Sequence, residues 1–207
     1  MSFDVDRLLE HCRTSIERFA REHPNETFYA FAIDADMLCL NSLEQFAQTL
    51  HAYQSNWDRQ TRRIDNISDL TEEDLRDEEF GLKIEAECCG LDRTDDQAVL
   101  AVINENRARQ RAEGCEYRTD EGVRELRDNT GDWAYQGFAD LTDDNGFDSE
   151  LYSDHYYEAG ESDDGHAPNT EYAIAMTELT VRLKQSEAFN PLKRTTDFTV
   201  SWVDHSY

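Results

Sequence analysis

Close to the N-terminus the chain carries a near-continuous apolar run over residues 27–33, bounded by Asp34 and Asp36. A strand with one face in water alternates apolar and polar residues, whereas an unbroken run of this length is typical of a strand that is buried on both faces. A second apolar run at residues 37–40 follows after a short acidic turn. The two runs predict a hairpin whose first strand lies inside the protein.

The sequence predicts one amphipathic helix before this hairpin and another after it. Over residues 4–23 apolar side chains recur at i, i+3 and i+4, which builds one apolar stripe. Asp4 is a suitable N-cap, and His23 precedes a proline, which disfavours helical geometry in the residue before it. Ser42 begins a capping-box signature, so a second amphipathic helix is predicted from there to about Arg63.

More helices are predicted further along the chain. Residues 68–90 have a weak helical pattern, and residues 95–113 form a clearer one that stops at Gly114. The polar, arginine-rich end of this helix, residues 104–111, is expected to project into solvent. Thr170 is predicted to open a final helix, whose apolar stripe consists of Ile174, Leu179, Val181 and Leu183.

The period of the pattern changes after Gly114. Residues 133–141 alternate in the manner of a strand, and Asn145-Gly146 is a strong signal for a hairpin turn with a return strand over 147–157. Residues 198–202 alternate in a terminal strand. The fold class is therefore α+β, a mainly antiparallel sheet flanked by amphipathic helices. We expect a single domain over residues 1–207, with a helical middle part at about 64–114.

The charge excludes several kinds of partner. Asp and Glu number 46 against 20 Lys and Arg, which gives a formal net charge of -26. Such a chain repels phosphate backbones and anionic membrane surfaces, so neither a nucleic acid nor a membrane is predicted as a partner. The N-terminus lacks the basic-then-apolar pattern of a signal peptide, and five cysteines, two of them adjacent, make a poor disulfide framework. These features predict a cytoplasmic location, and nothing in the sequence specifies an oligomeric state.

The second half of the chain contains an acidic region that lacks Lys and Arg. From Asp128 to Val181 there is no Lys or Arg, and the region holds fourteen acids. Three interpretations are open: a solvated acidic face, a docking surface for a cationic partner, and a site for divalent cations. An EF-hand loop aligned on Gly146 or Gly165 lacks an acidic first ligand, so no specific metal site follows, although weak Ca²⁺ or Mg²⁺ capture by Asp143, Asp144 and Asp148 stays open.

The docking interpretation names candidate partner-binding residues. Clustered carboxylates raise the on-rate and the selectivity for a basic protein, and exposed Trp or Tyr side chains serve as anchors at interfaces. The region is rich in aromatic residues, including Tyr156 and Tyr157, and any that are exposed would suit this role. The candidates are Asp143, Asp144, Asp148, Asp154, Asp163, Asp164, Trp133 and Tyr135.

Motifs for catalysis or for a cofactor are mostly absent. The sequence lacks a P-loop, a dinucleotide-binding glycine pattern, a His-Glu-x-x-His motif and any Cys-x-x-Cys pair. The adjacent Cys88 and Cys89 could form a redox-active pair, but buried or unreactive thiols are the commoner case. An alternative function is a small-ligand or metal-dependent enzyme built around Asp132, His155 and His166, which predicts a pocket that contains both histidines.

Three segments of the chain resemble an uncharacterised family of bacterial cytosolic proteins of about this size, a domain of unknown function. They are residues 27–33 with Leu38-Cys39-Leu40-Asn41-Ser42, residues 129–139, and the closing helix and strand. The piece that carries most of the resemblance is Gly131-Asp132-Trp133-x-Tyr135, and residues 64–127 are not part of it. Members of such a family occur near SMI1/KNR4-type immunity proteins in polymorphic toxin loci. The resemblance therefore implies an immunity-like protein that neutralises a toxin, with no catalytic residues to carry over.

The leading hypothesis is a non-enzymatic cytosolic interaction protein whose acidic region binds a basic partner such as a toxin. A salt-adapted protein is the other alternative. Only three lysines accompany seventeen arginines, and a halophile would carry an acidic excess on most of its proteins. In that case the charge would have no binding role, and stability would rise steeply with salt.

Overall fold

A computed structural model describes residues 2–66, 69, 96–161 and 169–203. Its contacts divide the chain into two compact units. The first unit consists of Met1–Thr49 and Leu126–Tyr207, and the second consists of Leu50–Glu125. The prediction of one domain over residues 1–207 stays a prediction.

The described residues contain six α-helices and a four-stranded mixed sheet, which confirms the α+β class. The elements in chain order are α1 (Val5–Glu22), β1 (Phe28–Asp34), β2 (Met37–Ser42), α2 (Leu43–Thr61), α3 (Asp96–Glu113), α4 (Asp120–Asp128), β3 (Tyr135–Asp140), α5 (Ser149–Glu161), α6 (Glu171–Gln185) and β4 (Arg194–Val203).

The sheet has the strand order β3-β2-β1-β4 and belongs to the first unit. β1 pairs antiparallel with β2, and β2 pairs antiparallel with β3, so the predicted hairpin and the mainly antiparallel sheet are confirmed. β4 runs parallel to β1 along its other edge, with Phe31 opposite Val200. β1 is thus an inner strand with a neighbour on each side.

Both faces of β1 are buried, as the apolar run predicts. All seven of its residues are buried. Phe31 and Ile33 belong to the main core cluster together with residues of α1 and α6. Ala30 and Ala32 belong to a second cluster on the other face, together with Trp133. Side chains alternate along a strand, so one short segment supplies apolar surface to both clusters.

The predicted N-terminal helix is confirmed, including both of its ends. The Asp4 carboxylate accepts a hydrogen bond of 3.1 Å from the Arg7 N–H, which satisfies one of the free amide groups of the first turn. The helix ends at Glu22, and His23 is its C-cap. Its predicted stripe is buried at Leu8, Cys12, Ile16, Phe19 and Ala20.

The predicted hairpin at Asn145-Gly146 and the return strand over 147–157 are wrong. Asp143–Asn145 form a 3₁₀ turn, and α5 occupies the segment predicted as a strand. Gly146 has φ +97°, a conformation that a hairpin turn also requires, but here the glycine ends the 3₁₀ turn.

Side-chain capping explains why a helix forms there. The Thr142 N–H donates to Asn145 Oδ1 at 2.8 Å, and Asn145 Nδ2 donates to Thr142 Oγ1 at 3.0 Å, which closes the 3₁₀ turn. The Asp148 carboxylate then accepts a hydrogen bond of 3.1 Å from the Leu151 N–H. An acceptor at this position satisfies a free amide of the first helical turn and so starts α5.

The final helix begins as predicted but buries a different face. The Thr170 hydroxyl accepts a hydrogen bond of 3.2 Å from the Ala173 N–H, which confirms it as the N-cap. Leu179 and Leu183 are buried, whereas Ile174 and Val181 are 59% and 45% exposed. The predicted stripe is therefore wrong at these two positions, because α6 packs against α1, α5 and β4 through its other residues.

The second unit contains α3, and its described residues include no strand. The helix ends at Glu113, and Gly114 follows with φ +84°, which confirms the predicted stop. The Asn104 amide pairs with the backbone of Ile64, accepting from its N–H at 2.9 Å and donating to its carbonyl at 2.7 Å. Arg107 is buried and donates to the Arg62 carbonyl at 2.9 Å. The expectation that residues 104–111 all project into solvent is wrong at this arginine.

Candidate functional site

The predicted partner-binding acids fall into two groups. Asp144 and Asp154 are exposed, whereas Asp148 is buried and caps α5. Asp143 is exposed, but its Oδ1 accepts hydrogen bonds from the Ser149 N–H at 3.2 Å and from the Ser149 hydroxyl at 2.8 Å. Asp143 and Asp148 therefore stabilise the start of α5. Asp163 and Asp164 lie outside the described residues.

The two predicted aromatic anchors have internal contacts. Trp133 is buried in the second core cluster, and its Nε1 donates to the Arg127 carbonyl at 2.9 Å. It is a core residue and does not form part of the surface. Tyr135 is half-buried, and its hydroxyl takes part in the hydrogen-bond network around Glu26 that is described below.

Four large apolar side chains are exposed on two helices of the first unit that contact one another, α5 and α6. Tyr157 is 71% exposed and Tyr156 is 49% exposed on α5, while Ile174 and Val181 are exposed on α6. The aromatic composition of the region predicts the two tyrosines as anchors if they are exposed. The sequence pattern does not predict exposure of Ile174 and Val181, because an apolar residue in a helix is first assigned to the buried stripe of that helix.

Acids flank these apolar side chains on each helix. On α5, Glu150, Asp154, Tyr157 and Glu158 are exposed and share one face by helical spacing. On α6, Glu171, Ile174, Glu178 and Val181 are exposed at successive steps of three or four residues. We call these two faces, together with Tyr156, the α5–α6 surface. It combines negative charge with exposed apolar area.

Two cations of α6, Arg182 and Lys184, lie near this surface, and Lys184 is exposed three residues after Val181. Arg182 of α6 places its Nη1 3.4 Å from Glu178 Oε1 and its Nη2 2.5 Å from Asp6 Oδ1. It shares its charge between two carboxylates, and these hydrogen bonds raise the pKa of its guanidinium further. Glu178 is thus partly neutralised, whereas no Lys or Arg occurs in the sequence of α5.

A second polar site centres on Glu26, just before β1. One carboxylate oxygen, Oε2, accepts a hydrogen bond of 2.5 Å from the Ser42 hydroxyl. The other, Oε1, accepts one of 2.5 Å from the Tyr135 hydroxyl and lies 3.1 Å from His23 Nδ1. The ring of His23 stacks on Phe19 with centroids 4.2 Å apart. Three donors therefore converge on one carboxylate that is 17% exposed.

These contacts shift the acidity of two groups. Burial raises the pKa of Glu26, but the hydrogen bonds from Ser42, Tyr135 and His23 outweigh it, so the net pKa lies below the ordinary value. Burial and the hydrogen bond to Glu26 raise the pKa of Tyr135 to about 12. The carboxylate is therefore charged and the phenol neutral over the physiological range. This arrangement joins the start of β1 to the end of β2 and to β3.

The residues of the enzyme alternative occupy separate structural positions. His155 is buried, and its Nδ1 lies 2.6 Å from the Thr170 hydroxyl oxygen. Asp132 accepts a hydrogen bond of 2.6 Å from Asn129 Nδ2. His166 lies outside the described residues, so the predicted pocket with both histidines stays a prediction. The hydrogen bond from Asn129 to Asp132 lies within one turn, whereas the His155 ring lies 4.6 Å from the Tyr172 ring of α6 and 6.5 Å from the Trp202 ring of β4.

The second unit contains one further candidate for chemistry among its described residues. An open cleft of about 430 Å³ in the second unit is lined by Arg63, Ile64, Asp65, Leu100, Ala101, Asn104 and Glu105, and none of these is a histidine or a cysteine. In the part of the chain that the structure describes, no three His, Cys, Asp or Glu side chains come together as metal ligands.

The cysteines of the described ranges are buried and unbridged at positions 12, 39 and 115. Burial raises the pKa of Cys12 to about 12 and that of Cys39 to about 11, so both thiols are protonated and unreactive at neutral pH. Cys88 and Cys89 lie outside the described residues.

Comparison of the chain with protein-family models, with curated proteins and with solved structures finds no match. Among the helices described, none combines the length and the apolar character that crossing a membrane requires.

Proposed function

We propose that this chain is a non-enzymatic, cytoplasmic interaction protein that binds a basic protein partner through its acidic region. The observation that carries the proposal is the α5–α6 surface, where exposed carboxylates alternate with exposed Tyr157, Ile174 and Val181. Apolar contacts supply affinity at a protein interface, and surrounding charges supply on-rate and selectivity. The resemblance noted above gives this partner a concrete form, a basic toxin that the protein neutralises.

The acids divide into those that serve the fold and those that are available to a partner. Asp143 and Asp148 hold the turn before α5 and the first turn of that helix. Asp154 and Glu158 on α5 and Glu171 on α6 are exposed, and none of them makes a hydrogen bond or an ion pair described above. Binding by the acidic region therefore rests on the α5–α6 surface, and a test of binding has to leave Asp143 and Asp148 intact.

The test compares two variants that change net charge equally. The surface variant carries Asp154→Lys, Glu158→Lys and Glu171→Lys, and the control carries three reversals on other helices (Glu105→Lys, Glu113→Lys and Glu125→Lys), where the side chains are also exposed. Tagged wild type and both variants capture proteins from the host lysate, with elution by increasing salt and identification by mass spectrometry.

We expect one stoichiometric basic partner that wild type and the control retain and the surface variant loses. Purified partner then gives the dissociation constant and its salt dependence for each variant. Many unrelated basic proteins that bind wild type, and that both variants lose equally, would contradict the proposal. That result would favour the salt-adaptation alternative, in which the charge has no specific binding role.

A further inference from the structure

The protein binds two of its own arginines by the same arrangement of an aromatic ring and a carboxylate. Within the second unit, Arg118 Cζ lies 5.5 Å from the centre of the Trp57 ring, and Arg118 Nη2 lies 2.6 Å from Asp58 Oδ2. Trp57 and Asp58 are consecutive residues of α2. Within the first unit, Arg127 Cζ lies 4.5 Å from the centre of the Tyr29 ring, and Arg127 Nη2 lies 3.4 Å from Asp197 Oδ2.

Both arginines are partly exposed, with 46% and 36% of the side chain accessible to solvent. Neither site needs deep burial to hold a guanidinium. The ring face attracts the cation through its quadrupole, and the carboxylate accepts its N–H groups. The two examples show which pair of side chains serves this chain as a receptor for arginine at its surface.

The α5–α6 surface contains the same receptor pair. Tyr157 and Glu158 are consecutive residues of α5, as Trp57 and Asp58 are of α2. Asp154 lies one helical turn earlier on the same face. Tyr157 is 71% exposed, and the ring of Tyr156 meets it edge-on with centroids 6.2 Å apart. No Lys or Arg occurs between residues 128 and 181.

We infer that Tyr157, Asp154 and Glu158 form a receptor for an arginine side chain on the surface of a basic protein partner. The inference rests on the proposed function and specifies the chemistry of that partner. Arginine fits better than lysine, because its planar guanidinium stacks on the tyrosine ring and presents a fork of N–H groups to carboxylates on either side. A lysine ammonium is also attracted by the ring face, but it is a strongly hydrated point charge that lacks the planar stacking and the fork of N–H groups.

The test uses two labelled peptides of equal length and charge, one built from arginine and glycine and the other from lysine and glycine. Fluorescence anisotropy measures the binding of each peptide to the full chain at low and at physiological ionic strength. Exposed cation–π contacts correspond to about a two- to fivefold change in affinity, so we expect wild type to prefer the arginine peptide by this factor.

Three variants separate the ring from the charge. Tyr157→Ala is expected to bring the ratio of the two affinities close to one, because the arginine peptide loses more affinity than the lysine peptide. Tyr157→Phe keeps an aromatic face and is expected to keep the preference. Leu43→Ala removes an exposed apolar side chain of α2, outside the α5–α6 surface, and it is expected to leave the ratio unchanged. Circular dichroism verifies that each variant is folded.

The outcomes distinguish the two proposals. Equal binding of both peptides to wild type, lost in the charge-reversal surface variant, would overturn the arginine receptor and leave the proposed function standing. If neither peptide bound at low salt, both proposals would fail. Self-association of the chain that Tyr157→Ala abolishes would overturn the assignment to another protein, because an arginine of a second copy would then occupy the receptor.

Discussion

The hydroxyl of Tyr135 donates a hydrogen bond of 2.5 Å to the carboxylate of Glu26, 109 positions earlier in the chain. This contact links β3 to the segment that enters β1. The same carboxylate accepts from Ser42, whose hydroxyl also accepts a hydrogen bond of 3.1 Å from the Gln45 N–H at the start of α2. One partly buried charge thereby holds together four segments of the first unit, and its protonation state becomes a property of the fold.

Replacing the Glu26 carboxylate tests how much it contributes to the free energy of unfolding and in which direction this contribution changes with pH. Glu26→Gln is expected to lower the free energy of unfolding at neutral pH by about 2 kcal/mol, since hydrogen bonds to a charged group are lost. The pKa of Glu26 is lower in the folded than in the unfolded state, so its stabilisation is present above the unfolded pKa and is lost as the pH falls through the folded pKa.

Urea unfolding from neutral to acidic pH measures the difference between wild type and Glu26→Gln. The difference should shrink on acidification, and Glu187→Gln at an exposed carboxylate should stay within about 0.5 kcal/mol of wild type. A difference that stays constant down to strongly acidic pH would contradict the assigned network.

Tyr135→Phe removes only the hydroxyl that donates to Glu26. We expect a loss of about 1–2 kcal/mol of unfolding free energy at neutral pH. The pKa of Tyr135 is raised to about 12 in the folded protein, so its contribution is complete below the unfolded pKa of about 10 and is lost as the pH rises toward the folded value. The gap between wild type and the variant should therefore close at alkaline pH. A gap that widens there would argue against the hydrogen bond.

Two glycines with positive φ should respond differently to alanine. At Gly146, with φ +97°, a Cβ would lie 2.8 Å from the carbonyl oxygen of Asp4. At Gly114, with φ +84°, a Cβ would meet nothing within 4 Å. Gly146→Ala is expected to cost about 3 kcal/mol, from backbone strain and the clash together, and Gly114→Ala about 1 kcal/mol from strain alone. Similar values from denaturant unfolding would refute the close approach between Gly146 and Asp4.

The buried face of α6 is tested by two truncations. Leu179 is fully buried in the main core cluster, so Leu179→Ala is expected to cost about 2–5 kcal/mol through lost burial and the cavity left behind. Val181 is 45% exposed, so Val181→Ala should change stability by no more than about 0.5 kcal/mol. Thermal unfolding followed by circular dichroism compares the two, and equal losses would mean that α6 buries the face first predicted for it.

The free energy of unfolding distinguishes acids that stabilise the fold from exposed acids that a partner can contact. Asp148→Ala removes the acceptor for the Leu151 N–H and is expected to cost about 1 kcal/mol, whereas Asp148→Asn keeps an acceptor and should recover most of it. Asp154→Ala at an exposed position should be close to neutral. The free energy of unfolding in urea distinguishes them. If Asp154→Ala cost as much as Asp148→Ala, the division of the acids between fold and binding would be wrong.

Local pattern was sufficient where one segment decides its own structure. The N-cap at Asp4, the end of α1 at His23, the burial of β1 on both faces and the N-cap at Thr170 follow from residues within a few positions of each other. Capping and proline effects act over one helical turn, and side-chain alternation acts along one strand. The α+β class follows from such elements taken together.

Predictions from the sequence pattern were wrong where the same residue is compatible with two structures. Gly146 supplies a positive φ, which a hairpin turn needs, but here the side chains of Asn145 and Asp148 favour a 3₁₀ turn and a helix. Ile174 and Val181 have the composition of a buried stripe, yet they lie on the exposed side of α6. A helix with apolar residues around its circumference has no preferred inner face until its neighbours are in place.

The charge, the local elements and the acidic region that lacks Lys and Arg can all be read from the amino-acid sequence. Which of those acids cap the backbone, which tyrosines are exposed and which residues surround Glu26 depend on how the elements pack together. Glu26, Ser42 and Tyr135 meet through strand pairing in the sheet, and no spacing along the chain encodes a contact between residues so far apart. Exposure on α5 and α6 likewise depends on the packing between elements.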